Sequence, residues 1–145
     1  MVTQKVILDE DGGGDALGTA AVLLSLPNIE LVGMTSIFGN THQDQALINN
    51  GRILHFLHAS DIPYYPGARK PSDSLMLDGD GAHGLNGVGD VLLDPTPTIA
   101  RTATAVDFII HTLETEPEKT VTIIAAGPQT NIAQAIRKAP EIMRR

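Results

Sequence analysis

Acidic residues crowd residues 9–15, which read Asp-Glu-Asp-Gly-Gly-Gly-Asp. Like charges that are held close together repel each other and raise each other's pKa, unless a cation, a shared proton or a polar ligand relieves them. Hard cations such as Ca²⁺ and Mg²⁺ bind several carboxylate and carbonyl oxygens, which a glycine-rich turn can present together. The segment is therefore a candidate metal or sugar-hydroxyl site.

The same residues also have an ordinary structural interpretation. Asp is favoured in turns and at the N-cap of helices. Asp15 would then cap a helix, and Asp9 and Asp11 would be solvated turn residues.

Three other segments are polar or rich in glycine: residues 38–40, residues 81–89 with His83, and residues 126–131. Ligands of open α/β sheets bind outside the carboxyl ends of the strands, so we expect these segments to converge on the acidic turn. His83 either reaches a ligand there or lies on a mobile loop. Thr130 and Asn131 are interpreted as residues near the start of a helix. The remaining histidines are interpreted as structural or surface residues: His42, His55, His58 and His111.

Hydrophobic periodicity predicts the elements that would position these residues. Strands are predicted at residues 5–8, 29–37, 62–65 and 121–125, and helices at about 15–26, 43–58, 103–113 and 132–142. We expect Asn40 or Thr41 to cap the second helix. Alternating strands and helices predict an α/β fold that is doubly wound, with a largely parallel sheet.

The organisation of the chain predicts a single domain over residues 1–145 with one long loop. Residues 66–97 are rich in Gly, Asp and Pro and show little periodicity, and a loop of that length is usually functional or partly disordered. The last predicted strand lacks the neighbours that normally flank it, so the sheet is expected to be incomplete at its C-terminus. Exposed sheet edges of this kind favour association, and a homo-oligomer is therefore possible.

Composition excludes several classes of function. The chain has 145 residues, 42% of them hydrophobic, with 3% aromatic residues and a net charge of -7, which argues against binding of nucleic acid. No stretch is apolar enough for a membrane span, and the first residues do not resemble a signal peptide. The lack of Cys fits a reducing compartment, so we expect a cytoplasmic protein. Without a Gly-x-Ser-x-Gly elbow, a Walker-type loop or a Cys, the expected nucleophile is water.

Four motifs follow one another along the chain: Asp9-x-Asp11-x-Gly13-x-Asp15, Gly39-Asn40, His83-Gly84-x-Asn86-Gly87-x-Gly89 and Gly127-Pro128-x-Thr130-Asn131-Ile132-Ala133. Together they resemble the N-terminal half of the inosine-uridine preferring nucleoside hydrolases, over essentially the whole chain. The resemblance implies hydrolysis of the N-glycosidic bond of ribonucleosides to ribose and a free base. It also implies a bound Ca²⁺ that holds the attacking water and the ribose hydroxyls.

The resemblance assigns a role to individual residues by their position in these motifs. Asp11 would be a calcium ligand and the general base, and Asp15 would bind the ribose hydroxyls. The other implied roles belong to Asn40 beside the ribose and the water, His83 beside the nucleobase, Asp9 as a carboxylate near the metal, and the Ala126 backbone carbonyl as a calcium ligand.

This chain departs from the family pattern at the first turn, which is Asp-x-Asp-Pro-Gly-x-Asp-Asp-Ala in the family. Gly12 replaces the proline, and Ala16 replaces the second consecutive Asp, normally a principal calcium ligand. The neighbouring Glu10 is expected to point elsewhere. Family members also normally continue well beyond residue 145, so we expect a truncated chain that is weakly active or inactive.

Two other functions remain open at this point. The first is a non-catalytic module that binds ribose or a nucleoside, because Ala16 has no oxygen to offer a metal. The second is a haloacid-dehalogenase-like phosphatase, suggested by residues 7–12. That family has Thr or Val where this chain has Gly13, and the later motifs have no role in it.

Overall fold

The computed structural model describes residues 3–70 and 82–145 of the chain. Strands and helices alternate along most of it, in the order that the periodicity predicts. The elements are β1 (Gln4–Glu10), α1 (Gly14–Ser25), β2 (Ile29–Ser36), α2 (Gln43–Phe56), β3 (Tyr64–Tyr65), α3 (Ala105–Thr115), β4 (Val121–Ala125), α4 (Thr130–Lys138) and a 3₁₀ turn (Ile142–Arg144).

The strands form one parallel sheet in the order β3-β2-β1-β4. β1 lies between β2 and β4, and Asp9 is paired with Thr35 on one side and Ala125 on the other. The carboxyl ends of these three strands therefore meet at one edge of the sheet. The predicted parallel α/β fold is confirmed.

Helices cover both faces of the sheet, because successive side chains of a strand point to opposite faces. Val6 and Leu8 of β1 belong to a core that includes Ala16 and Ala20 of α1 and residues of α2. Ile7 belongs to a second core, with residues of α3 and α4. The alternation sends Asp9 to the face of Ile7, and the residue that follows it to the face of Leu8.

Two features of the helices differ from the prediction. α4 ends at Lys138 rather than at residue 142, because Ala139 precedes Pro140 and leaves the helical region with φ -144° and ψ 68°. His42 is the N-cap of α2 and makes no capping hydrogen bond through its side chain. The prediction that Asn40 or Thr41 caps this helix is wrong, since both side chains donate to Asp11 instead.

The described parts of the predicted long loop, residues 66–70 and 82–97, contain no helix or strand. The remainder of that loop, residues 71–81, lies outside the described residues. Among the residues that are described, no helix has the length and apolar character needed to cross a membrane.

Candidate active site

The acidic turn connects β1 to α1 and holds Asp11 at the edge of the sheet. Asp11 is only 8% exposed, although it follows the last residue of the strand. Its two carboxylate oxygens accept hydrogen bonds from the backbone N–H of Asn40 at 3.1 Å and from Asn40 Nδ2 at 2.9 Å. Asn40 lies just beyond the carboxyl end of β2, so sheet topology brings these two predicted residues together.

Asp15 lies in the first turn of α1 and is exposed. The space in front of Gly13 contains both Asp15 Oδ1 and Asn40 Nδ2, and a Cβ at Gly13 would clash with both atoms. Asp15 is not the helix cap: the N-cap is Gly13, without a capping side chain. The structural interpretation of Asp15 as an N-cap is therefore wrong, and its carboxylate is exposed beside Asn40.

Asp9 forms the buried floor beneath this turn. Its Oδ1 accepts hydrogen bonds from Thr35 Oγ1 at 2.6 Å and from Asn131 Nδ2 at 2.7 Å. Burial raises the pKa of Asp9 to about 6; the two hydrogen bonds oppose that rise, and the charge of Asp11 adds to it. Its other oxygen, Oδ2, is buried and has no hydrogen-bond partner among the described residues.

Asn131 is a residue of the candidate site to which the sequence analysis gave only a structural interpretation. It lies in the first turn of α4 and is fully buried. Besides the bond to Asp9, its Nδ2 donates to the Ser36 carbonyl at 3.1 Å, and its Oδ1 accepts from the Ala68 N–H at 2.9 Å. Residues 126–131 are expected at the site because they follow a parallel strand. The interpretation of Asn131 as a helix-start residue, however, predicts no hydrogen-bond partner for its side chain.

The Glu10 side chain was expected to point elsewhere, but its carboxylate binds within the acidic turn. Strand alternation directs its side chain away from Asp9, but the carboxylate turns back beneath the acidic turn, where Oε2 accepts from the Gly12 N–H at 2.5 Å. Glu10 is 1% exposed, and Oε1 has no partner among the described residues. Burial raises the pKa of Glu10 well above its usual range, and the neighbouring Asp11 adds to the effect.

His83 and Ala126 reach the same turn from two other segments. His83 Nδ1 accepts a hydrogen bond from the Gly14 N–H at 3.3 Å, so the imidazole lies against the start of α1. The Ala126 N–H donates to the Asp9 carbonyl at 2.7 Å. A Cβ at Gly127 would lie 3.1 Å from the Cβ of Asp11, so the segment after β4 runs alongside that residue.

The oxygen atoms of this site fit calcium in kind. Asp11 lies at the turn, and the buried oxygens Asp9 Oδ2 and Glu10 Oε1, which have no hydrogen-bond partner among the described residues, are groups that a nearby cation would stabilise. Ala16 is 2% exposed and contributes no oxygen. Within residues 3–70 and 82–145, no group of three or more His, Asp or Glu side chains is arranged to hold a metal ion. Since Ca²⁺ takes six to eight oxygens, these residues offer part of a coordination shell.

Comparison with known proteins identifies relatives of the chain. The family model described as inosine-uridine preferring nucleoside hydrolase matches residues 6–145. A pyrimidine-specific ribonucleoside hydrolase, RihA, from Enterobacter sp. (strain 638) is 38% identical over 141 residues, which cover 97% of this chain and 44% of the relative.

The chain is also similar to solved structures of nucleoside hydrolases. A purine-preferring ribonucleoside hydrolase from Gardnerella vaginalis superimposes with a TM-score of 0.87 at 36% identity, covering 96% of this chain and 45% of the other. An inosine-guanosine nucleoside hydrolase superimposes with a TM-score of 0.89 at 31% identity, covering 97% and 44%. The chain thus spans less than half the length of these relatives.

Proposed function

The chain belongs to the inosine-uridine preferring nucleoside hydrolase family, and we propose that it acts on the N-glycosidic bond of ribonucleosides, giving ribose and a free base. The observation that carries this proposal is the grouping of Asp11, Asn40 and Asp15 at the carboxyl edge of the sheet. The family match also covers the later segments that a phosphatase would leave without a role.

In the proposed reaction, water is the nucleophile and Asp11 is the general base. The N-glycosidic bond breaks with its electron pair going to the base, which leaves positive charge on the ribosyl carbon. Water then forms the new C–O bond and transfers a proton to Asp11, while a proton from solvent neutralises the departing base. Nearby carboxylates stabilise the positive charge as it develops.

The other residues bind and orient the substrate. Asp15 is exposed and its carboxylate accepts hydrogen bonds from the ribose hydroxyls. Asn40 Nδ2 donates to Asp11 at 2.9 Å, which fixes the direction of the carboxylate before water arrives. His83, which contacts the start of α1, lies beside the nucleobase, and the described residues 66–70 and 82–97 belong to the loop of the active site.

Calcium is the proposed metal, held by Asp11 and the Ala126 carbonyl, with Asp9 nearby. When bound, Ca²⁺ polarises water and ribose hydroxyls and offsets the charge of the acidic turn. Asp9 remains buried between Thr35 and Asn131, where it supports the backbone from which Asp11 projects.

The specific observation that favours a second function is Ala16. This residue is buried in the first turn of α1 and presents a methyl group where the family pattern has a carboxylate. With one oxygen ligand fewer, calcium binding and catalysis weaken together, because the members of a catalytic unit depend on one another. We therefore propose that the 145-residue chain is weakly active or inactive. Its second candidate function is to bind ribose or a nucleoside without hydrolysis.

Asp11→Asn tests the proposed site, with Asp61→Asn as a control that makes the same substitution at an exposed Asp after α2. Calorimetric titration with Ca²⁺ and ribose is expected to show calcium-dependent ribose binding that Asp11→Asn removes and Asp61→Asn keeps. Unchanged binding in Asp11→Asn would contradict the assignment.

A reducing-sugar assay with inosine and uridine separates the two candidate functions. We expect the 145-residue chain to release little ribose even with added Ca²⁺. Robust release would overturn the proposal of weak activity. Ribose binding that needs no Ca²⁺, without any release, would favour the binding module.

A further inference from the structure

Residues 83–91, here called the His83 loop, form a self-braced unit. Asn86 Oδ1 accepts from the N–H groups of Val88 at 3.0 Å and Asp90 at 2.9 Å, and Asn86 Nδ2 donates to the Val91 carbonyl at 2.9 Å. Asp90 Oδ1 in turn accepts from the Leu85 N–H at 2.7 Å. These bonds lie within the loop and hold residues 83–91 together.

Asn49 of α2 connects this unit to the acidic turn. Its Nδ2 donates to the Gly12 carbonyl at 2.9 Å and to the Asn86 carbonyl at 2.8 Å. The Oδ1 atom of the same amide accepts from Gln45 Nε2 at 2.9 Å. Asn49 is 1% exposed, so water has little access to this contact. Removing its amide would therefore take a hydrogen-bond donor from the carbonyls of both Gly12 and Asn86.

The contact between loop and turn is close at Gly87. This residue has φ +81°, and a Cβ would lie 2.6 Å from the Gly12 oxygen and would also clash with the Thr41 side chain. The loop therefore meets the same carbonyl that Asn49 binds. His83 Nδ1 meets the next part of the turn through the Gly14 N–H, so one docked position of the loop sets where the imidazole lies.

We propose that Asn49 is a positioning residue that docks the His83 loop on the acidic turn and so sets the affinity for the nucleobase half of a nucleoside. The inference rests on the proposed function, which puts His83 beside the nucleobase. Asp11, Asp15 and Asn40 lie outside the loop, at or just beyond β1, α1 and β2, so ribose binding is expected to depend less on Asn49 than nucleobase binding does.

The test uses Asn49→Leu, which keeps the approximate volume of the side chain and removes the donor, with Gln45→Ala as the control that loses only the bond to Asn49 Oδ1. Calorimetry with inosine and with ribose measures the two halves of the site. Asn49→Leu is expected to weaken inosine binding about tenfold, the value of one or two buried hydrogen bonds. Ribose affinity stays within about twofold, since undocking lowers only the fraction of chains competent to bind the base.

Hydrogen exchange at the Gly87 and Val88 amides, both in buried residues of the loop, provides a second measurement. Exchange is expected to accelerate in Asn49→Leu and not in Gln45→Ala. Equal losses of inosine and ribose affinity, or an unchanged ratio of the two, would overturn the proposal.

Gly87→Ala disturbs the same contact from the side of the loop, and it replaces Asn49→Leu in the test if that variant does not fold. It is expected to lower inosine affinity relative to ribose affinity, and an unchanged ratio would also overturn the proposal. If the unmodified chain binds neither compound, the proposed function is wrong. The exchange rates then still decide whether Asn49 docks the loop.

Discussion

Replacing Asn131 with Ala removes three hydrogen bonds from the floor of the candidate site. The side chain is fully buried, and its amide connects Asp9, the Ser36 carbonyl and the Ala68 N–H. These groups lie on β1, on β2 and after β3, so a single side chain on α4 ties together the whole carboxyl edge of the sheet.

The loss in free energy of unfolding depends on the buried polar groups that Asn131→Ala leaves without a partner. A buried hydrogen bond contributes about 0.5–1.5 kcal/mol net, whereas a buried polar group left without a partner costs about 1–3 kcal/mol. Asp9 keeps its bond from Thr35, so the main penalties fall on the Ser36 carbonyl and the Ala68 N–H. We expect a loss of about 3 kcal/mol, which is large against the 5–15 kcal/mol typical of a folded domain.

Urea unfolding followed by far-ultraviolet circular dichroism measures this loss. Gln134→Ala is the matched control, because Gln134 is exposed on the same helix. Asn131→Asp is expected to destabilise the chain more than Asn131→Ala, since it places a second carboxylate against Asp9 where the amide donated. A loss below about 1 kcal/mol for Asn131→Ala with an unchanged m-value, or wild-type stability in Asn131→Asp, would refute the reasoning.

Two other substitutions test the calcium turn and one helix terminus. Ala16→Asp restores the carboxylate of the family pattern and is expected to raise calcium affinity in calorimetry; an unchanged affinity would show that Ala16 does not limit binding. Thr104→Ala is expected to cost about 1 kcal/mol in urea unfolding, because Thr104 Oγ1 caps α3 by accepting from the Asp107 N–H at 3.2 Å. A cost of only a few tenths would mean that solvent replaces this cap.

Much of the fold could be predicted from local patterns. The bounds of β4 agree with the apolar run at residues 121–125, and β2 and α2 begin at the predicted residues. These features depend on periodicity and on local stop signals such as Pro27, which act over a few residues. The end of α4 was missed because the apolar pattern continues past Pro140, and the restriction that proline places on Ala139 overrides it.

Some residues of the candidate site could also be predicted from the sequence, and others could not. The proposed roles of Asp11, Asp15 and Asn40 come from a motif and from the rule that parallel strands end at a common edge. Asn49 belongs to none of the quoted motifs, and the motif that contains Asn131 assigns it no partner. Asn131 lies 122 residues from Asp9, and the two carbonyls that Asn49 binds are each 37 residues from it. Asn is common at turns and helix starts, so neither residue was distinguishable from structural ones.

The sequence by itself determined the alternation of strands and helices, the acidic turn, the family resemblance and the carboxylate missing at Ala16. All of these are properties of residue types and their spacing. Only the tertiary structure decided which groups the side-chain amides bind: Asn40 binds Asp11 instead of capping α2, Asn131 binds Asp9, and Asn49 binds carbonyls of the turn and of the His83 loop. The physical reason is that a buried polar group needs a partner, and packing between distant segments determines which partner it finds.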